Sequence, residues 1–515
     1  MKKLLSLMLV LAMLLCTCAA LAEGEITLPL TEEPVTFRAC VGTSSYCLIP
    51  WNDKEIYHKF AEETNVYFDF EELDDYTTQS NLYIASGETP DVFFNSISNA
   101  TLNENLDMFW ELTDMIYEYS PSLVKLYEEE PGVLADSKSP DGGIYKLAAS
   151  FTFNLDDCLG TMYWINQNWL DAVGMENPTT IDELEEVLVA FRDKDPNGNG
   201  IKDEIPMSMQ ETGWAGKFSD LFGIFGVLYD TGNYVDCDDE GKVYFQADKP
   251  EFYDALVWLN HLTKEGLLDA ESFSQTGDQF TTKISSNVLG ICAKYNPMNF
   301  LDGFTTLHVI KNGDTRTMIE GSTDSSLGAG MTLPKTNEYP EVFMKFYEYI
   351  NSDHSRKMTL RYGEKGVYWD YTGNGIEYTI QDYDSTPPEG YEFWDQYIYT
   401  IGTTGGTGPF FMSRKELGSN VSPKTTRETG ILEYMQYYPT VTYHAAALTE
   451  DLATEKQMLY TEIDAYVRGF VSGSISGEIN EQIWQDHLNT LQKLDVERYV
   501  ELCQMSYDAY LDLIK

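Results

Sequence analysis

Between residues 35 and 94 the chain switches repeatedly between two hydrophobic periods. VTFRACVG (35 to 42) and NVYFDFEEL (65 to 73) read as strands, the second with Val66, Phe68 and Phe70 alternating along one face. KEIYHKFAEET (54 to 64) and YTTQSNLYIASG (76 to 87) read as helices, and DVFF (91 to 94) as a third, apolar strand. A β-α-β-α-β order predicts a mostly parallel sheet covered by helices, because parallel strands need a crossover that a helix supplies. Further on, TMYWINQ (161 to 167), IPMSM (205 to 209) and VLGICAKY (288 to 295) read as strands, and YVDCDDEGKVYF (234 to 245) as a hairpin. PEFYDALVWLNHLTKEGLL (250 to 268) is an amphipathic helix with Pro250 in its first turn. The C-terminal part is helix-rich over 455 to 473 and 479 to 514. No repeat and no Pro/Ser/Gly-rich joint divides the chain, which suits two lobes crossed several times better than domains on a string.

The first 22 residues have another character. Lys2 and Lys3 precede an apolar run from Leu4 to Leu15 and the small-residue stretch Ala19-Ala20-Leu21-Ala22, the layout of a secretory signal cleaved after Ala22. The run is shorter than the roughly 20 residues that span a bilayer. Cys16 and Cys18 leave a lipid-anchored form open, although Leu15 and Thr17 stand where a small residue precedes a lipidated cysteine. Both readings place the mature protein outside the cytoplasm, secreted or at the cell surface. A formal charge of −49, from 83 acidic and 34 basic residues, argues against nucleic acid and unaided binding to anionic lipid, and suits metal cations. A monomer is expected. The remaining cysteines, Cys40, Cys47, Cys158, Cys237, Cys292 and Cys503, form no CxxC pair; Cys40 and Cys47 either close a small loop or stay free.

NPTTIDELEEVLVAFRD contains a turn at Asn177-Pro178 and a capping box with Thr180 at the N-cap and Glu183 at N3, followed by Ile181, Leu184, Val187, Leu188 and Phe191 at helical spacing. Where that helix ends comes DKDPNGNGIKDEIP (193 to 206). Two cation registers fit it. An EF-hand register uses Asp193, Asp195, Asn197, Asn199 and Glu204, with Gly198 at position six, but Gly200 stands at the aliphatic eighth place and Pro206 opposes an exiting helix. The shorter register uses Asp195, Asn197, Asn199, the carbonyl of Ile201, Asp203 and Glu204, with Asp193 left outside and the Ile201 side chain expected in the core. Hard oxygen donors in this number favour Ca2+ over Mg2+, and no sulfur or imidazole is present for Zn2+. Asn, Asp and Gly also favour a plain solvated turn. The cation, where bound, is structural and pins a helix end to a strand start.

The stretch INQNWLDAVGMENPTTIDELEEVLVAFRDKDPNGNGIKDEIPM resembles the extracellular solute-binding proteins of family 1, the alginate-binding and LipO-like branch of ABC transporter substrate-binding proteins. IASGETPDVFF (84 to 94), GEKGVYWDY (363 to 371) and the tail 484 to 509 continue the resemblance. It implies an α/β, two-lobe periplasmic-binding-protein-like fold of type II with a multi-strand hinge, closing on a carbohydrate, with Ca2+ in the DxNxNxxxDE loop at Asp195, Asn197, Asn199, Asp203 and Glu204. The expected lobes are 23 to 155 with about 295 to 350, and 156 to 294 with about 351 to 515. The implied partners are an oligosaccharide and ABC permease subunits. Where members often carry a basic residue this chain has Asn166, which weakens the case for an anionic sugar.

Sugar sites pair aromatic platforms with polar side chains. Trp51 in LIPWNDK, Asp91 at the head of DVFF, Trp214 in ETGWAG, Tyr295 after VLGICAK, and Trp369 and Trp394 in the aromatic 363 to 400 region are the candidate ligand residues. Packing in a core or hinge is the plainer alternative for each, while Trp258 and Trp484 lie on helix faces and are expected to pack. Against enzymatic chemistry, the six histidines lack metal-site spacing, no HExxH or GxSxG occurs, and GTTGGTG (402 to 408) lacks the lysine of a phosphate loop. A secreted glycosidase-like enzyme and a sugar-sensing surface receptor remain the alternatives to import.

Overall fold

The computed structural model describes residues 26–151, 160–213, 215–322, 330–381, 386–403 and 407–514. The secretory segment, Cys158 and Trp214 lie outside the described residues.

The first lobe is built on β1 (Val35–Gly42), β2 (Val66–Leu73) and β3 (Val92–Phe93). They are parallel in the order β2-β1-β3, with Val35 opposite Val66 and Ala39 opposite Val92. The expected helices run Glu55–Thr64 and Tyr76–Ser86. Asn65 (φ 61°) and Gly87 (φ 74°) end them in the left-handed conformation, where a side chain that tolerates it or none at all is needed. The sheet is extended when Thr332 pairs antiparallel with Phe93.

The second lobe carries β4 (Met162–Asn166), β5 (Ile205–Ser208), β6 (Leu289–Lys294) and β7 (Phe304–Thr306) in the order β7-β4-β6-β5. β6 runs parallel to β5 and antiparallel to β4. Every residue of β4 is buried, as a strand covered on both faces requires. The C-terminal region adds Glu450–Ser476 and then two helices, Glu481–Lys493 and Val496–Leu513, where one continuous stretch reads as helical. Asp495 in the left-handed region (φ 55°) separates them.

The lobe boundaries differ from those expected. Leu307 and Ile310 belong to the core of the second lobe, because β7 adds as an antiparallel edge to β4. Phe343, Tyr347, Met358, Trp369 and Phe411 belong to the core of the first, so the chain returns there at 330 and stays well past 400. Among the described residues it belongs to the first lobe up to 151, to the second from 160 to 322, to the first again from 330 to about 417, and to the second again from about 426, three changes of lobe in all. Cys40, Cys47, Cys237, Cys292 and Cys503 are free thiols, and burial pushes Cys40 up to about 12. No helix among the described residues is long and apolar enough to cross a membrane.

Candidate functional site

The acidic loop sits between the helix Ile181–Asp193 and β5. The Thr180 hydroxyl caps the helix by accepting the Glu183 N–H, while the Glu183 carboxylate reaches back to the Thr179 N–H at 2.9 Å and the Thr179 hydroxyl. Asp193 lies outside the loop's ring of side chains, held by Arg192 at 2.8 Å on both carboxylate oxygens. Asp195 opens the ring. Its two oxygens accept the N–H groups of Asn199 (3.1 Å) and Gly200 (2.9 Å). Asn197 and Asn199 donate their amides to the Asp203 carboxylate at 3.1 to 3.2 Å. Gly198 (φ 71°) and Gly200 (φ 73°) provide the curl.

Five donor side chains, from Asp195 to Glu204, thus come from ten residues of chain, and the loop's chemistry is nearly all oxygen. A half-turn of each Asn amide puts Oδ1 where Nδ2 now faces Asp203, so the ring interconverts between internal hydrogen bonding and an all-oxygen cage. Glu204 Oε1 is enclosed with no hydrogen-bond partner, and a buried carboxylate oxygen is costly unless a cation or donor meets it. Among the described residues no group of three or more His, Cys, Asp and Glu side chains is gathered for a metal, so any cage here depends on the two amides and the Ile201 carbonyl as well as the carboxylates. Counted from Asp195, Gly200 occupies the sixth place that an EF-hand loop reserves for glycine.

One expectation about this loop fails. The Ile201 side chain is 61% exposed and does not enter the core; only its main chain takes part, the carbonyl accepting the Asp203 N–H at 3.1 Å. The anchoring comes instead from Asn287, a residue without a sequence signal beyond its place before an apolar strand. Asn287 (φ 54°) accepts the Asn197 amide on its carbonyl, and on its Oδ1 the Asn166 amide and the Trp169 indole N–H, each at 3.1 Å. Asn166 is fully buried and caps the helix Gln167–Val173, so its departure from a basic residue concerns packing and not ligand charge.

The other end of the same strands faces the first lobe. Met162 at the start of β4 lies opposite Lys294 at the end of β6, and β6 is parallel to β5. The described chain therefore enters this sheet, at Met162, at the edge where β5 and β6 end. Tyr295 follows β6 there, half-buried, with the Arg427 guanidinium 3.9 Å over its ring and Arg427 Nη1 donating to its carbonyl at 2.8 Å. Arg427 lies in the first turn of the helix Thr426–Tyr434, where the chain has returned to the second lobe. Asn299 donates to Asp395 of the first lobe at 3.4 Å.

The remaining candidates are placed differently. Trp51 is fully buried against Tyr57 and Phe70, and the buried Lys54 lies 4.8 Å over its ring while donating to the carbonyls of Tyr399, Thr400 and Gly402. Trp369 is 1% exposed in the first core, its indole bonded to the Gly363 carbonyl. Trp394 is buried between Tyr368 and Tyr397. Asp91 accepts the Arg38 N–H at 2.7 Å and joins the turn before β3 to β1. These four serve packing or turn geometry, because each ring or carboxylate is already enclosed or engaged. Trp258 and Trp484 are buried on helix faces as expected.

Sequence reasoning missed a carboxyl group at the same edge. Glu211 stands three residues past β5, and Lys217 gives its carbonyl to the Tyr163 hydroxyl of β4 at 2.8 Å. Asp220 accepts the N–H of Glu320, the residue just before the second crossing, at 2.8 Å. Asp230 and Asp236 interact with Glu320 as well. Burial pushes Glu211 and Glu320 up to about 7 and Asp236 to about 6, and raises Asp220 and Asp230. An acid raised in the fold stabilises it while protonated. That contribution is complete below the ordinary carboxylate range near 4 and is lost as pH rises through about 6 to 7. The melting temperature accordingly falls between about pH 5 and pH 8 at constant ionic strength; a flat profile over that window contradicts it.

No family model matches the chain. It is 31% identical over 287 residues to the fructooligosaccharide ABC transporter substrate-binding protein FusA of Streptococcus pneumoniae, covering 54% of this chain and 52% of that protein. With lipoprotein LipO of Bacillus subtilis it shares 27% identity over 198 residues, 38% of this chain and 37% of LipO. In sequence the chain spans about half the length of the first of these relatives, and less of the second. In fold the match is longer. S. pneumoniae FusA in complex with kestose superimposes with a TM-score of 0.80 at 22% identity, over 93% of this chain and all of that one, and a FusA EF-hand mutant in complex with fructo-nystose gives the same values. The chain is thus similar in sequence, over about half its length, to an ABC transporter substrate-binding protein, and has the fold of FusA over nearly all of it.

Proposed function

We propose that this protein is the extracellular substrate-binding component of an ABC importer, which captures an oligosaccharide or related carbohydrate by closing its two lobes and hands it to membrane permease subunits. The observation that carries the reading is the edge where β5 and β6 end beside the start of β4, which sets an aromatic residue, Tyr295, against Arg427, with Asn299 nearby in sequence reaching Asp395 of the first lobe. Ligands of open α/β sheets bind beyond the carboxyl ends of strands. Similarity to a fructooligosaccharide-binding protein supports a carbohydrate ligand. Tyr295 and Trp214 are the aromatic platforms of this reading. No covalent step is needed: the ligand is held by stacking and hydrogen bonds and released unchanged, so no catalytic residue is assigned.

Ca2+ completes the proposal as a structural ion held by Asp195, Asn197, Asn199, the Ile201 carbonyl, Asp203 and Glu204. The protein acts outside the cytoplasm, as a monomer, secreted or lipid-anchored. A thermal-shift screen of the purified chain against neutral and acidic oligosaccharides tests the function. A rise in melting temperature with an unaltered sugar is the expected result; turnover of the sugar without a shift favours a glycosidase and defeats the reading.

A further inference from the structure

Asn299 of the second lobe donates its amide to the Asp395 carboxylate of the first at 3.4 Å, and both residues are half-buried. Each side of this contact is held by a firm scaffold. Asn299 ends the 3-10 turn Pro297–Asn299, which Asn296 caps by accepting the Met298 N–H at 3.0 Å, and which follows β6 and Tyr295 directly. Asp395 lies in the first turn of the helix Trp394–Ile401, where unbonded backbone N–H groups favour a carboxylate. The far end of that helix is clamped by the buried Lys54 ammonium, which donates to the carbonyls of Thr400 at 3.1 Å and Gly402 at 2.8 Å.

The loop after β1 belongs to the same unit. The Leu48 N–H donates to the Thr400 hydroxyl at 3.0 Å, and that hydroxyl donates to the Tyr46 carbonyl at 3.4 Å. Tyr46 is half-buried, its ring edge-on to Phe393 with centroids 5.0 Å apart. Burial, and after it the negative charge of Asp395, pushes the Tyr46 hydroxyl above the usual phenol range. Tyr46 therefore stands past the carboxyl end of β1 as Tyr295 stands past that of β6. The two rings, one from each lobe, are tied through short stretches of chain to the two partners of the Asn299–Asp395 hydrogen bond.

We propose that Asn299 and Asp395 form a latch that holds the lobes closed on a bound carbohydrate, with Tyr46 as the first lobe's aromatic counterpart of Tyr295. The inference rests on carbohydrate capture by lobe closure as the function. Parting the lobes breaks this hydrogen bond, so its free energy belongs to the closed form alone and enters the affinity through the closed population. The acceptor is a charged carboxylate, which makes the bond stronger than one between neutral groups. Loss of the latch speeds ligand escape more than it slows capture, because capture starts from the open form, in which the partners are already apart. Asn299 and Asp395 act on the ligand through closure and are positioning residues, whereas Tyr46 offers its ring to the sugar directly.

Calorimetry and stopped-flow kinetics of the full chain with a panel of neutral trisaccharides test the latch. Asn299→Asp sets two carboxylates against each other and is expected to weaken the best-bound trisaccharide by about tenfold or more, chiefly through faster dissociation. Adding Asp395→Asn to it restores one donor and one acceptor in exchanged places, and affinity returns to within about threefold of the wild type. Tyr46→Ala weakens binding by about tenfold, while Tyr46→Phe, which keeps the ring, stays within about threefold. All variants keep melting temperatures close to that of the wild type, since the altered groups lie between the cores. Full affinity in Asn299→Asp overturns the latch, and so does a double variant as weak as the single one; both leave carbohydrate capture standing. Full affinity in Tyr46→Ala overturns the platform. Binding of no trisaccharide by the wild type overturns carbohydrate capture, and the inference with it.

Discussion

Exchanging Asp195 and Asp203 together for asparagine abolishes the calcium dependence of the melting temperature. The cage of the shorter register has three carboxylates, and the double variant leaves only Glu204 charged, too little to offset the desolvation of a divalent ion. At a calcium concentration about 100 times the dissociation constant, a bound ion stabilises the wild-type fold by about 2.7 kcal/mol, and the variant forgoes all of it. Added chelator then shifts the wild type and leaves the variant unmoved. The effect is confined to the second lobe, because the loop bonds to Asn287, and through it to Asn166 and Trp169. Sugar affinity is expected to change only indirectly, since the ends of β5 and β6, where the proposed ligand binds, lie at the far end of the strands whose beginnings the loop holds. Calcium-dependent melting that survives the double exchange refutes the site.

Trp51→Ala lowers the stability of the first lobe by about 3 to 5 kcal/mol, the cost of emptying a large, close-packed aromatic site. Its indole packs against Tyr57 and Phe70 and under the Lys54 ammonium. Lys54 ties this cluster to the end of the helix Trp394–Ile401, so the loss extends beyond the indole's own contacts. Chemical denaturation with a probe in each lobe is the measurement. An early transition confined to the first lobe is the expected result. A variant of unaltered stability that binds sugar poorly instead makes Trp51 a ligand platform after all.

The local features of this protein were readable because they are written in short spacings. The alternation of Val66, Phe68 and Phe70, the helical spacing after Thr180 and the DxNxNxxxDE donors each lie within about a dozen residues, and the structure places a strand, a capped helix and a converging ring of side chains there. Burial was harder to read. A tryptophan in a polar loop looks like a platform, yet Trp51 points inward because the 3-10 turn Trp51–Asp53 folds back on β2, where Asn52 accepts the Phe70 N–H at 2.7 Å. Ile201 failed in the opposite direction, an aliphatic side chain left in solvent because the curl of the loop is set by backbone and carboxylates.

What the sequence determined by itself is therefore the α/β class, the alternation that forces a parallel sheet, and the oxygen-rich loop at the end of a capped helix, all consequences of chain-local periodicity and spacing. Tertiary structure alone decided the rest. Glu211 and Glu320 share an edge although they stand about a hundred positions apart, and β7 joins the second lobe because β4 offers it an unpaired flank. No local pattern encodes such choices, since which strand pairs with which, and which carboxyls are thereby buried together, depends on the free energy of the whole packed chain.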